Sequence, residues 1–276
     1  MSIQASGHLS KMEVTLGDTV AYQLPLDDQR IPLNDAIGKS IAIEHIGDIH
    51  CIHCGRRSKK SFSQGYCYPC FTKLPQCDTC IMSPERCHFH HGTCRDPAWG
   101  EKYCFTDHFV YLANSSGVKV GITRGTQLPT RWIDQGATQG LPIFRVQTRY
   151  QAGLIEDCIR EFVADKTSWQ KMLKGNAESV DLAVIRDELM AKAESGLELL
   201  EQEFGLQALQ RLYNETTTQI NFPVHEFPEK VKSLNLDKQP LVEGVLKGIK
   251  GQYLILDTGV INIGKYTAYN VHITIN

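Results

Sequence analysis

Two pairs of cysteines constrain this chain more than any other feature. Cys51-Ile52-His53-Cys54 and Cys67-Tyr68-Pro69-Cys70 stand twelve residues apart, which writes C-x2-C-x12-C-x2-C. A two-residue gap lets both thiolates of a pair reach one ion across a tight turn, and Gly55 suits the positive φ that such a turn demands. Two such knuckles complete one tetrahedral site, for which Zn²⁺ is the default ion. The competing use of four cysteines is a pair of disulfides. The sequence carries no secretory segment, and Cys158 stands apart from the other cysteines, so a reducing compartment, the cytoplasm, is the expectation.

A second group follows at once: Cys77-Asp78-Thr79-Cys80, then Cys87, Cys94 and Cys104, with His88, His90, His91 and His108 nearby. These are more ligands than one ion needs. The simplest second zinc site is Cys77, Cys80, Cys87 and Cys94; Cys104 competes for the place of Cys77, and an imidazole can replace either. Some of these cysteines can equally serve as small buried hydrophobes.

At 276 residues, 42% hydrophobic and 22% charged, the composition is that of a globular protein with room for two or three modest domains. No apolar run is long enough to cross a membrane. The formal net charge of −2 gives no global attraction to a polyanion, so any nucleic-acid surface must be a local patch. The loop inside the first metal unit offers one, with Arg56, Arg57, Lys59 and Lys60 followed by Phe62. Short charge runs are also commonly no more than solvated turns.

The organisation expected is α+β: a β-rich segment over 1–50, a cysteine-rich region of zinc ribbon-like units over 51–107, a compact β-β-α-β-α unit over 108–165, a helical segment over 166–221 and a β-rich segment over 222–276. Period-two runs separated by turn residues mark both ends as strands, and the two ends loosely share a text. If that repeat is real, the ends pair into one small barrel; unrelated strands of similar composition explain it equally well.

In the 108–165 unit, two short apolar strands within the stretch from His108 to Arg124 flank an Asn114-Ser-Ser-Gly117 turn as a hairpin. A helix opens at Pro129, a third strand covers Pro142 to Tyr150, and a second helix runs from Gln151, giving the order β-β-α-β-α. The basic-aromatic stretch from Lys166 through Trp169 to Lys174 borders the same cleft in this reading. Asn176 to Asn214 reads as two helices.

The hairpin with Tyr111 in its first strand and Lys119-Val120-Gly121-Ile122-Thr123 in its second, followed by Arg131 and then Glu156 on successive helices, resembles the GIY-YIG endonuclease superfamily. The resemblance covers residues 108 to 165 and implies a divalent ion, Mg²⁺ or Mn²⁺, held by Glu156 at a scissile phosphate. Tyr111 matches the first motif tyrosine, Gly121 the glycine of the second motif, Arg131 the helical arginine and Glu156 the metal ligand. Lys119 stands where the second tyrosine is expected, as in a phage-associated branch of the superfamily. Gln135 occupies the position of a usual proton-transfer histidine. The whole chain also resembles an uncharacterised bacterial family with cysteine-rich units ahead of this domain.

The chemistry asks for these residue types independently. Cleaving a phosphodiester needs a cation near the phosphoryl oxygens, a carboxylate for a hard metal, and a group to orient or deprotonate water. Arg131, Glu156 and Tyr111 supply them, with Lys119 as a further cation and Arg124 as a further phosphate contact. The bland alternative is a tyrosine packed in a sheet and an ion pair between helices. Three functions therefore compete: a cytoplasmic zinc protein that binds DNA or RNA and cleaves it, a binder that kept the fold without the reaction, and a zinc-stabilised interaction scaffold.

Overall fold

The computed structural model describes residues 2–163 and 168–276, so Lys166, at the head of the basic-aromatic stretch, lies outside the described residues. The fold is mixed α/β. The amino-terminal segment supplies β1 (Ile3–His8), β2 (Glu13–Thr15), β3 (Ala21–Leu26), β4 (Gln29–Pro32) and β5 (Ser40–His50). Alternation dictates their faces: Tyr22, Leu24, Leu26, Ile41 and Ile43 point inward and are fully buried. The cysteine-rich region begins as β6 (Arg57–Ser58), a short partner for the end of β5, and α1 (Tyr68–Lys73). It continues through four single 3-10 turns to α2 (Pro97–Tyr103), whose start is set by Asp96 accepting from the Trp99 amide.

The middle unit contains β7 (His108–Asn114), β8 (Val118–Arg124), α3 (Thr130–Asp134), β9 (Gln139–Val146) and α4 (Arg149–Arg160), the β-β-α-β-α order. It continues with α5 (Trp169–Met172), α6 (Leu182–Phe204), β10 (Leu209–Arg211) and β11 (Thr218–Gln219). The sheet order is β10-β9-β7-β8, so β7 lies between β8 and β9. Period two divides β7 between two cores: Val110 and Leu112 pack with Ile155, Ile159, Leu189 and Leu197 of α4 and α6, while Tyr111 and Ala113 pack with Trp132 and Ile133 into the core of the terminal segments.

The region expected as two helices is one 23-residue helix, α6, followed by a strand. Its glycine, Gly196, does not interrupt it; a Cβ there would lie 2.5 Å from Cys158 Sγ, so glycine is what lets α4 and α6 approach. The helix ends at Gly205 (φ +83), and Leu209 begins β10, which Arg211 ties back to Glu194 and Glu201 of α6 at 2.7 and 2.6 Å.

The carboxyl-terminal segment supplies β12 (Leu241–Lys250), β13 (Tyr253–Leu256), β14 (Gly259–Asn262) and β15 (Tyr269–Ile275). The two ends of the chain do pair: the sheet runs β1-β15-β5-β12-β13-β14, with β6 beside β5. The pairing obeys a pseudo-two-fold. Ala5 faces Ile273 as Val242 faces Ile43, and the axis passes through the Ile43–Ile273 pair at the centre of β5 and β15. The turn carboxylates repeat too: Asp27 accepts from the His8 amide at 3.1 Å, and Asp257 from the Val245 amide at 2.9 Å. At the matching crossovers, Gly38 donates to the Leu246 carbonyl and Ala268 to the Leu9 carbonyl, both with positive φ.

The described strands do not close into a barrel. In the second copy β12 pairs with β13 through Leu246–Leu256 and on to Lys250–Tyr253. In the first copy the equivalent ladder is a single bridge, Leu9–Leu26, because Pro25 stands where Ile255 pairs and has no amide to donate. β2, β3 and β4 are left as a separate three-stranded sheet.

Candidate functional site

The cysteines of the first knuckle pair sit where β5 and β6 begin to part and where α1 starts. Cys51 and Cys67 are buried, and the sulfurs of Cys51, Cys54, Cys67 and Cys70 all lie within 4.8 Å of one another without a disulfide. Cys54 and Cys67 are 3.7 Å apart. Thiolates bound at about 2.3 Å to one tetrahedral ion lie about 3.8 Å apart, so the spacing is that of a site edge. Burial alone would raise the Cys51 thiol, but amides of Cys67, Cys54 and His53 directed at its sulfur bring it down to about 6. Donors aimed at sulfur are what a thiolate ligand set requires. The four can hold one metal ion, with no position left open.

The second group is divided. Cys80, Cys87, Cys94 and Cys104 line one small cavity closed by Phe89, Trp99 and Phe105. Burial raises Cys80 to about 11, followed by Asp78, Cys87, Cys104 and Cys94. Cys77 does not share that cavity: after burial, the groups that act on it are Ser63, Arg95 and Cys51, on the side of the first site. Asp78, Cys80 and His88 offer a different set of three ligand atoms. The Asp78 carboxylate is held by Arg95 at 2.8 Å, and His88 Nδ1 by Thr93 at 2.8 Å. His90 and His91 lie within a 3-10 turn, while His108 is buried in β7 with Nδ1 on the Thr106 carbonyl at 2.7 Å. Burial takes His108 down to about 4, so it is neutral, and its Nε2 has no partner among the described residues.

In the middle unit Tyr111 and Gly121 are cross-strand partners. A Cβ on Gly121 would lie 2.7 Å from the Tyr111 hydroxyl, which donates to Gln135 Oε1 at 3.2 Å. Tyr111 is fully buried, which raises its pKa; Arg131 and Gln135 beside the hydroxyl draw it down, and Glu156 pushes it up. Burial holds Glu156 at about 7 against the pull of Arg160, Arg149 and Arg131, with Glu85 reinforcing the rise. Tyr111, Arg131 and Glu156, carried by β7, α3 and α4, thus act on one another electrostatically. Lys119 lies two pairs further along the hairpin, opposite Ala113, and lines a pocket with Gln135, Ser116, Asp134 and Trp169.

Two residues invisible to motif reasoning belong to the same neighbourhood. Arg149, at the start of α4, donates to the Ile81 carbonyl at 2.5 Å, and Glu85 sits beside Gly153, where a Cβ would lie 2.8 Å from the Glu85 amide. Both join the cysteine-rich region to the helix of Glu156. The Thr148-x-x-Gln151 pattern, a capping box, was the signal available for that helix start.

The loop cations go different ways. Arg57, Lys59 and Lys60 line an open cleft of about 1060 Å³ together with His45 and Lys265, and Arg57 also pairs with Asp48 at 2.7 Å. Arg56 is exposed outside that cleft, while Arg124 lies over the Tyr103 ring at 5.3 Å, away from the loop. No helix among the described residues is long and apolar enough to cross a membrane.

Fold and site together define a mixed α/β protein with a four-cysteine site able to hold a metal ion. The chain belongs to the family described as "Protein of unknown function (DUF2797)", whose profile matches residues 38–271. No curated protein and no solved structure matches it.

Proposed function

We propose that this chain is a zinc-binding, nucleic-acid-acting protein whose middle unit is a GIY-YIG-like domain that cleaves phosphodiesters with a divalent ion at Glu156. The observation that supports this best is the meeting of the Glu156 carboxylate, the Arg131 guanidinium and the Tyr111 hydroxyl in one electrostatic neighbourhood. Glu156, lifted by burial to about 7, would be a fitting donor for a hard divalent ion, giving up its own proton to bind one. Such an ion supplies charge compensation and an acidified water. Arg131 then offsets the negative charge that grows on the phosphoryl oxygens. The cleft of Arg57, Lys59, Lys60 and Lys265 carries the flanking strand by phosphate contact. Zinc in the Cys51, Cys54, Cys67 and Cys70 site holds that loop in place.

The burial of Tyr111 favours a second reading, a binder that keeps the architecture without the reaction, because a hydroxyl closed over by Gly121 and Gln135 is not offered to a substrate. One assay separates the two. The protein is incubated with Mg²⁺ or Mn²⁺ and with single-stranded, duplex and branched DNA and structured RNA, beside Glu156→Gln and Arg131→Ala. Cleavage by the wild type is expected, lost in Glu156→Gln with binding retained, and slowed on the order of 10²-fold in Arg131→Ala. Binding without cleavage establishes the second reading. Absence of binding at low salt removes both and leaves the interaction scaffold.

A further inference from the structure

The stretch from Pro75 to Phe105 has a problem that its own side chains do not solve. It is built of four 3-10 turns and one helix of seven residues, and no strand crosses it. None of the apolar clusters formed by the described residues includes a side chain between residues 50 and 109. Isolated 3-10 turns have poor hydrogen-bond geometry and little stability of their own, and so short a segment cannot bury enough apolar surface to fix its path. Something other than a hydrophobic core holds it.

At its centre is a cavity of about 20 Å³, lined by Cys80, Cys87, Cys94 and Cys104 and closed by the rings of Phe89, Trp99 and Phe105. That is room for a single ion or water and nothing larger. The four thiols come from four separate turns and none is in a disulfide. We infer that Cys80, Cys87, Cys94 and Cys104 are the ligands of a second structural zinc ion, with Cys77 excluded, and that this ion sets the position of the helix carrying Glu156. Four thiols give up their protons as the ion binds, and the closed four-thiolate set leaves no position for chemistry. The competing set of Asp78, Cys80 and His88 has ligand atoms within 4.8 Å of one another, with its carboxylate held by Arg95, its imidazole Nδ1 by Thr93 and its Nε2 3.5 Å from the carboxylate.

The link to α4 is direct. The Cys104 carbonyl accepts from the Arg149 amide at 2.7 Å, the Ile81 carbonyl accepts from the Arg149 guanidinium, and Pro84 packs so closely on Gly153 that a Cβ there would lie 2.6 Å from it. Residues on both sides of the metal cavity therefore grip the first turns of α4, within a turn of Glu156. The site needs no part of the nuclease reading, and its test does not use cleavage.

Elemental analysis of the full chain is expected to give two zinc ions per molecule, falling to one in Cys104→Ser and in Cys51→Ser, and remaining two in Cys77→Ser and in His88→Ala. Wild-type protein treated with iodoacetamide under native conditions should be alkylated at Cys77 and Cys158 while Cys104 stays protected until a chelator is added, which decides the ligand set even if a variant folds poorly. A single ion in the wild type, native alkylation of Cys104 with Cys77 protected, or loss of an ion in His88→Ala would each overturn the assignment. For the positioning role, backbone amide exchange at Arg149 to Glu156 should quicken in Cys104→Ser and not in Cys51→Ser. Equal exchange in both would confine the ion to its own module.

Discussion

Gly121 carries a contact that no other residue type permits. With the Tyr111 hydroxyl 2.7 Å from where a Cβ would stand, and Tyr111 fully buried, neither side can give way cheaply. Gly121→Ala is expected to cost about 1–3 kcal/mol in chemical denaturation, and Tyr111→Phe in the same background to recover part of it. An alanine variant as stable as the wild type would show that the hydroxyl is not over the strand. Glu156 supplies the second prediction. Burial lifts its pKa from 4.5 to about 7, so the folded chain holds that proton more tightly than the unfolded one. Its contribution to stability therefore falls as pH rises from the unfolded value towards 7, and is constant above. Glu156→Gln should melt above the wild type beyond about pH 7, by a margin that vanishes as pH falls towards 4.5. A margin independent of pH would place the carboxylate in water. At this scale the first metal site could be read from spacing, because both knuckles are local. The choice between Cys77 and Cys104 could not: Cys77 has the better motif, but the chain path after Leu74 turns it toward Ser63 and Cys51.

Elements were readable where one principle governed and not where two competed. The alternation of β7 was plain in the sequence; that its two faces serve two different cores was not, since period two says only that the faces differ. For α4, periodicity places the start near Gln151, but the capping box begins it at Arg149. Gly196 stands inside the helical pattern of α6, where a glycine signals a break unless a close neighbour explains it. Cys158 is that neighbour, 2.5 Å from the missing Cβ. Gly196→Ala should therefore destabilise the protein despite the better helix propensity of alanine, by about 1–3 kcal/mol, while Cys158→Ala combined with it restores most of the loss. Measuring both singles and the double gives the coupling; additive effects would mean that α4 and α6 do not meet there.

At the scale of the molecule, the repeat between the ends was faint as text and clear as geometry. Few letters match, among them Gly7-His-Leu9 against Gly244-Val-Leu246 and Leu24-Pro-Leu26-Asp27 against Leu254-Ile-Leu256-Asp257, while the register of β1, β5, β12 and β15 repeats pair by pair. Hydrogen bonds between backbones preserve a pairing that side chains are free to forget. The family profile starts at residue 38, beyond β1 to β4, although Tyr22, Leu24 and Leu26 are fully buried and β1 completes the edge of β15. Deleting residues 2–37 should abolish cooperative unfolding and near-ultraviolet circular dichroism. A deletion variant that melts in one sharp transition would show that the two copies do not share one core.

The crossed pairing has a further meaning for how this architecture can change. Leu241, where the second copy begins, pairs with Glu44 of β5, the strand on which the first copy ends at His50. Everything between, metal modules and middle unit alike, leaves and returns by adjacent strands, as a cassette spliced into the joint of a duplicated host. The host's ladder is closed by strands on either side of the splice, yet its core is completed by Tyr111, Ala113, Trp132 and Ile133 of the cassette. A cassette exchanged at that joint would have to bring its own side chains for the host's core, so host and cassette can change only together.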